Sequence, residues 1–312
     1  MSRTDITPIS RPTPDVPSAP AAPPTGAVSS SAAAASNAPG HAHLPRADRL
    51  RRRGTPGDTA PEWPGTLVLV LVSLVGLMAF FWPFFATSAL IAEHASLAPW
   101  LFAALMALLG VSLLAEQGNG RLDAKTVAVL GALAALGGAL RVLGAGTAGL
   151  EPVFFLVVVA GRVLGRRLAF LGGCLILLTG AFLTGAVGPW TPFQMIATGW
   201  VALGAALLPG LRGRWEVLAL AVYGAIAALL YGAVMNLWFW PFMGAAAPPG
   251  AGFVPGDTAT NLTHYAAFYL ATSLVWDAPR AVLTAALVGI AGRPLLATLR
   301  RATRRARFEG AS

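Results

Sequence analysis

The side chains able to do chemistry in this chain are few, polar and set in apolar sequence. Trp190, Gln194 and Thr198 fall at i, i+4 and i+8, which is one face of a helix. Asn236 closes an apolar run and is followed by Trp238 and Trp240. His264, Phe268 and Thr272 share a second helical face, with Tyr265 and Tyr269 beside it. Arg141 and Glu151 flank the Gly-rich stretch 144–151. Aromatic walls with a few converging hydrogen-bonding groups describe a small-molecule pocket. Aromatic residues alone also describe the belt at a membrane interface. Gln194, Asn236 and His264 fit the belt less well, because polar groups there want partners. Arg141 and Glu151 either pair with each other or meet a polar part of a ligand. Asp277 and Arg280, three residues apart, are expected to form a structural ion pair, with Pro279 kinking the helix between them.

Several reaction classes are missing their residues. The only lysine is Lys125, so no G-x-x-x-x-G-K-[ST] phosphate loop exists. There is no H-E-x-x-H and no G-x-S-x-G. His41 and His43 resemble a metal pair but sit in Pro-rich, polar sequence, and His94 and His264 are isolated. Cys174 is alone in an apolar run and reads as a small hydrophobe. No catalytic residue, metal site or cofactor is expected, and the chain is not expected to be an enzyme. Ionisable relays of the kind a proton-coupled pump uses are scarce.

The elements that must hold these side chains are membrane helices. Of 312 residues 56% are hydrophobic and 11% charged, and several apolar runs exceed 18 residues. All but one of the 22 basic residues are arginine, which with so much Ala and Gly points to a GC-rich bacterial genome. The net charge of +9 does not imply nucleic acid. The arginines cluster between apolar runs, where the positive-inside rule puts them.

Residues 1–62 hold about half of the 24 prolines and almost no large apolar side chains, so they are expected to be a disordered cytoplasmic tail. No apolar segment follows Met1, so no cleavable signal peptide is expected. Eight spans are expected: 66–91, 98–115, 124–143, 153–164, 168–186, 192–209, 215–236 and 262–291. Both termini then lie in the cytoplasm of a bacterial plasma-membrane protein. The run 153–164 is only about 18 Å long as a helix against a hydrocarbon core near 30 Å. Its shortness implies that the loop 144–151 dips into the membrane plane. In the third span Ala128, Ala132, Ala135 and Ala139 recur at i, i+4, i+7 and i+11 and form one small-residue stripe. That stripe suits either internal packing or docking of another membrane subunit.

Residues 124–300 resemble the substrate-binding S component of an energy-coupling factor (ECF) vitamin transporter of the actinobacterial type. The resemblance rests on the Ala stripe, the loop GAGTAGLEP, the segment GPWTPFQM at 188–195 and WDAPRA at 276–281. It implies an all-α membrane protein whose last six helices, 124–292, form the substrate-binding core. Residues 63–123 then add two further helices, and 293–312 form a basic cytoplasmic tail. It also implies capture of a vitamin from outside, with cobalamin or a related corrinoid as the first guess. The partners implied are a transmembrane coupling subunit and two ATP-binding cassette subunits, with the Ala stripe as the docking face. The substrate is expected among Arg141, Glu151, Trp190, Gln194, Thr198, Asn236, Trp240, His264, Tyr265, Phe268 and Tyr269. A stand-alone secondary transporter of a small aromatic solute is the alternative.

Overall fold

A computed structural model describes residues 63–85, 103–104, 106–118, 122–147 and 149–308, with side chains through Thr303. The expectations for residues 1–62, His41 and His43 among them, and for the turn containing His94 lie outside the described residues. Every described element is helical: α1 Trp63–Phe81, α2 Met106–Gly118, α3 Ala124–Gly144, α4 Val153–Leu164, α5 Arg166–Leu183, α6 Thr191–Leu207, α7 Arg214–Phe239, α8 Thr258–Thr272 and α9 Leu274–Phe308. Among the described residues five segments are long and apolar enough to cross a membrane: Trp63–Phe85, α3, α5, Arg214–Ala246 and Leu274–Thr303.

Local chemistry sets the element ends. Pro83 has no N–H for the carbonyl of Ala79, so α1 ends at Phe81 and Trp82–Phe85 turns as a 3₁₀ segment. Asp123 caps α3 by accepting from the Thr126 N–H at 2.8 Å. Hydrogen bonding to Thr126 holds the Asp123 carboxyl below the usual carboxylate range. Asp257 caps α8 in the same way, and Thr260 lowers its pKa.

The core is built around α4. Leu156, Val157, Val158 and Val159 are all 0% exposed, so consecutive residues on every side of this helix are covered. A helix apolar all round belongs in the interior. Its 12 residues are enough because α4 is sheathed by α3, α5, α6, α7 and α9. Neighbouring backbones come close where side chains are missing. A Cβ on Gly161 would strike the backbone of Ala202 on α6, and one on Gly173 would strike Thr198 and Gly199. Such crossings give the packing that membrane helices rely on.

The expected last span, 262–291, is two helices. The break falls at Ser273, six residues before Pro279. The structure also places the Ala stripe and the two added helices. The Ala stripe is exposed at all four positions, and the opposite face of α3 (Leu130, Leu133, Gly137, Gly138) packs inward on α4 and α5. The added helices are part of the packing: Phe80 of α1 is 0% exposed against Phe193 and Trp200. Trp200 Nε1 donates to Ser73 at 3.1 Å. Arg167 of α5 meets Glu116 of α2 at 3.3 Å.

One end of the bundle is tied by Glu216 at the start of α7. It accepts from Arg162 Nε of α4 at 2.8 Å and from Arg300 of α9 at 2.5 Å. Arg162 also donates to the carbonyls of Leu208 and Pro209, which end α6. One carboxylate therefore joins three helices and indirectly caps a fourth. Removing it leaves two guanidinium groups facing each other, one of them only 10% exposed. Glu216→Ala is expected to cost about 3 kcal/mol or more. Arg301→Ala, which removes an exposed contact to Thr298, is expected to cost less than about 0.5 kcal/mol. Thermal unfolding of both variants in detergent checks this; equal losses would contradict the hub.

Candidate functional site

At the other end of the bundle lies a partly open cavity of about 450 Å³. The C-terminal ends of α3 and α7, the N-terminal ends of α6 and α9, and the loop before α4 converge on it. Its charged side chains come in two groups.

The first group is a triad of buried Arg280 and Asp277 with half-buried Glu151. Arg280 of α9 pairs with Asp277 one turn earlier and reaches Glu151 of the loop at 3.3 Å. Its guanidinium also lies over the rings of Phe154 at 5.3 Å and Tyr231 at 5.4 Å. Asp277 fits against α7 only because position 232 is glycine; a Cβ there would overlap the carboxylate. Two carboxylates thus share one guanidinium. Asp277 Oδ2 and Arg280 Nε are buried without a hydrogen-bond partner.

The second group is Arg141 and Gln194. Arg141 Nη2 donates to Gln194 Oε1 at 3.2 Å. The arginine stem passes over Gly180 of α5, where any Cβ would collide with it. Among the described residues Arg141 pairs with no carboxylate; the expected alternative of an Arg141–Glu151 pair is replaced by Arg141–Gln194 and Glu151–Arg280.

Rings fill the remaining wall. Trp190, Trp238, Trp276, Tyr231 and Phe239 line the cavity with Met235, Asn236 and Ser273. Trp190 is steadied by its Nε1 donating to Ala186 O at 3.1 Å. Trp238 packs on Phe193 at 5.4 Å, and Phe193 on Phe80 at 5.2 Å. α1 therefore buttresses the cavity wall through two rings. Asn236 Nδ2 donates to Ser273 Oγ, which joins α7 to the break between α8 and α9.

No protein-family model, no curated protein and no solved structure matches the chain. The geometry of the cavity therefore carries the functional reading.

Of the eleven residues expected around a substrate, Arg141, Glu151, Trp190, Gln194 and Asn236 line the cavity. The other six lie elsewhere. Thr198 is 1% exposed at the α5–α6 crossing and spends its hydroxyl on Gln194 O. Trp240 is 0% exposed and donates to Ala251 O at 2.8 Å. His264 meets Gly252 O at 2.6 Å, and Tyr265 donates to Ala233 O. Phe268 is buried against Trp240 and Phe239. Tyr269 donates to Leu229 O at 3.2 Å. For the four residues on α8 the reason is the break at Ser273, which makes α8 a separate helix packed on α7 and on the 3₁₀ turn at Trp82–Phe85; Thr258 donates to Phe84 O there. Asp277 and Arg280 do pair, as expected, but in the cavity wall and with Glu151. Sequence reasoning missed Tyr231 and Phe239, and it named Trp238 and Trp276 without placing them among the substrate residues. An acid and a base within an apolar helix were the available signal.

Gly149 closes the loop over the site. Its φ is +89° and a Cβ would strike the carbonyl of Trp276. Gly146, at φ +75°, has open space around it. Gly149→Ala is expected to lift the loop and raise amide hydrogen exchange across 145–152 by about tenfold or more, since each 1.4 kcal/mol of lost closure is tenfold. Gly146→Ala is expected to cost about 1 kcal/mol of backbone strain without opening it. Equal exchange in the two variants would contradict closure through Trp276.

Proposed function

We propose that this chain is the solute-binding membrane subunit of an ECF-type importer, capturing a vitamin outside the bacterial plasma membrane for uptake driven by partner subunits. The observation that carries the reading is a cavity lined by rings and paired charges at one end of a helical bundle. In this reading the chain spans eight times with both termini in the cytoplasm, and the cavity end faces out. The spacing of the two charge networks supports that placement. Gly232 and Glu216 are sixteen residues apart on α7, about 24 Å at the helical rise. The hydrocarbon core is about 30 Å. Buried charges that pair near each membrane edge are the tolerated kind.

The resemblance names cobalamin first. The cavity, at about 450 Å³, favours a compact ring system. A corrinoid would insert only part of its bulk and stand out of the open side.

The exposed Ala stripe on α3 supplies a docking face for a coupling subunit, because four small side chains with no cover let a partner helix approach to backbone contact. The ATP-binding cassette subunits would supply the energy that this chain has no phosphate loop to harvest. Reconstitution tests the proposal. Uptake of a bound vitamin is expected only with the coupling module and ATP. Ala132→Leu with Ala135→Leu is expected to abolish copurification of that module while vitamin binding stays within about twofold. Ion-gradient-driven uptake by the chain alone would overturn the proposal in favour of a secondary transporter.

A further inference from the structure

The cavity divides by charge. On the α9 side Glu151 and Asp277 compete for Arg280, so acceptor oxygens are in excess: Asp277 Oδ2 is buried and unpartnered, and Glu151 uses one oxygen on Arg280. On the α3 side a cation stands without a counter-ion among the described residues. Arg141 holds only the neutral amide of Gln194, although its guanidinium offers five donors. An arginine without a carboxylate in so apolar a molecule calls for a partner. Its seat is built rather than accidental, because Gly180 is the gap through which its stem passes. Position in the last turn of α3 gives the cation some support from the helix dipole. That support leaves the donors themselves unused.

We infer that the cavity selects a ring compound bearing a carboxylate, with that carboxylate on Arg141 and Gln194 and the ring between the tryptophans. The inference rests on the reading of this cavity as a solute site. Three features favour it. One guanidinium beside a neutral amide balances one negative charge, which suits a carboxylate better than a phosphate monoester of about −1.5 to −2. Arginine and a carboxylate make strong, directional paired hydrogen bonds. The acceptor-rich wall at Glu151 and Asp277 repels an anion, so it fixes which way round the ligand enters. Trp190 stands in the same wall as Arg141 and Gln194, so ring and anion contacts are adjacent.

Isothermal titration of the full chain in nanodiscs tests this with matched pairs: nicotinate and nicotinamide, indole-3-acetate and indole-3-acetamide, pterin-6-carboxylate and its amide, with cobalamin as a seventh probe. At least one acid is expected to bind about tenfold or more tightly than its amide. Arg141→Gln is expected to erase that preference while thermal unfolding in detergent is unchanged, which shows the fold is intact. Arg141→Lys is expected to keep part of it. Equal binding of acid and amide, a preference that survives Arg141→Gln, or binding by cobalamin alone overturns the inference and leaves the solute site standing. Binding of none of the seven overturns both.

Discussion

Arg280 fixes the end of the bundle that holds the cavity. A guanidinium 7% exposed in an apolar bundle has to be paired, because an uncompensated charge there costs several kcal/mol. Its partners come from four places: Glu151 from the loop before α4, Phe154 from α4, Tyr231 from α7 and Asp277 from α9 itself. Satisfying one cation therefore sets the distance between α7 and α9, the height of the loop and the start of the central helix. Gly232 is the condition for this arrangement, since any side chain there would displace Asp277. The cavity is the space left above these fixed points.

The opposite end repeats the device with the signs exchanged. There one carboxylate, Glu216, serves two arginines, Arg162 and Arg300. α4, α7 and α9 are thus tied at both ends by charge and along their length by small-residue crossings. This explains how a helix as short as α4 can be central: it is held from above and below and covered on all sides. The same sharing of charge leaves Arg141 a cation that no carboxylate among the described residues neutralises.

Much of this was legible in the sequence, for reasons that differ by element. The bounds of α4, 153–164, could be read directly because Pro152 and Gly165 punctuate its run of β-branched and aromatic residues. Gln194 and Trp190 were legible because helical spacing puts them on one face and that face turned inward. The α8–α9 break was not legible. Ser273 carries no breaker signal, and the run 262–291 is apolar enough to read as one helix. That single error misplaced His264, Tyr265, Phe268 and Tyr269 together. Trp238 and Trp240 show the other limit. Two residues apart, they point to different sides of the chain, and only packing decided that Trp238 lines the cavity while Trp240 is buried beneath Ala251. The Ala stripe could be seen but not assigned, because small residues serve internal and external contacts alike; its exposure removes the internal one.

α3 presents an uncovered stripe of alanines on one face and delivers Arg141 to the cavity at its end. Native mass spectrometry of the chain released from nanodiscs tests most directly whether that cavity holds a solute. A solute-binding cavity gives one small molecule per wild-type chain, lost in Arg280→Met, where the wall is no longer fixed. A wild-type chain that always appears bare, whatever vitamins the cells were fed, would contradict it.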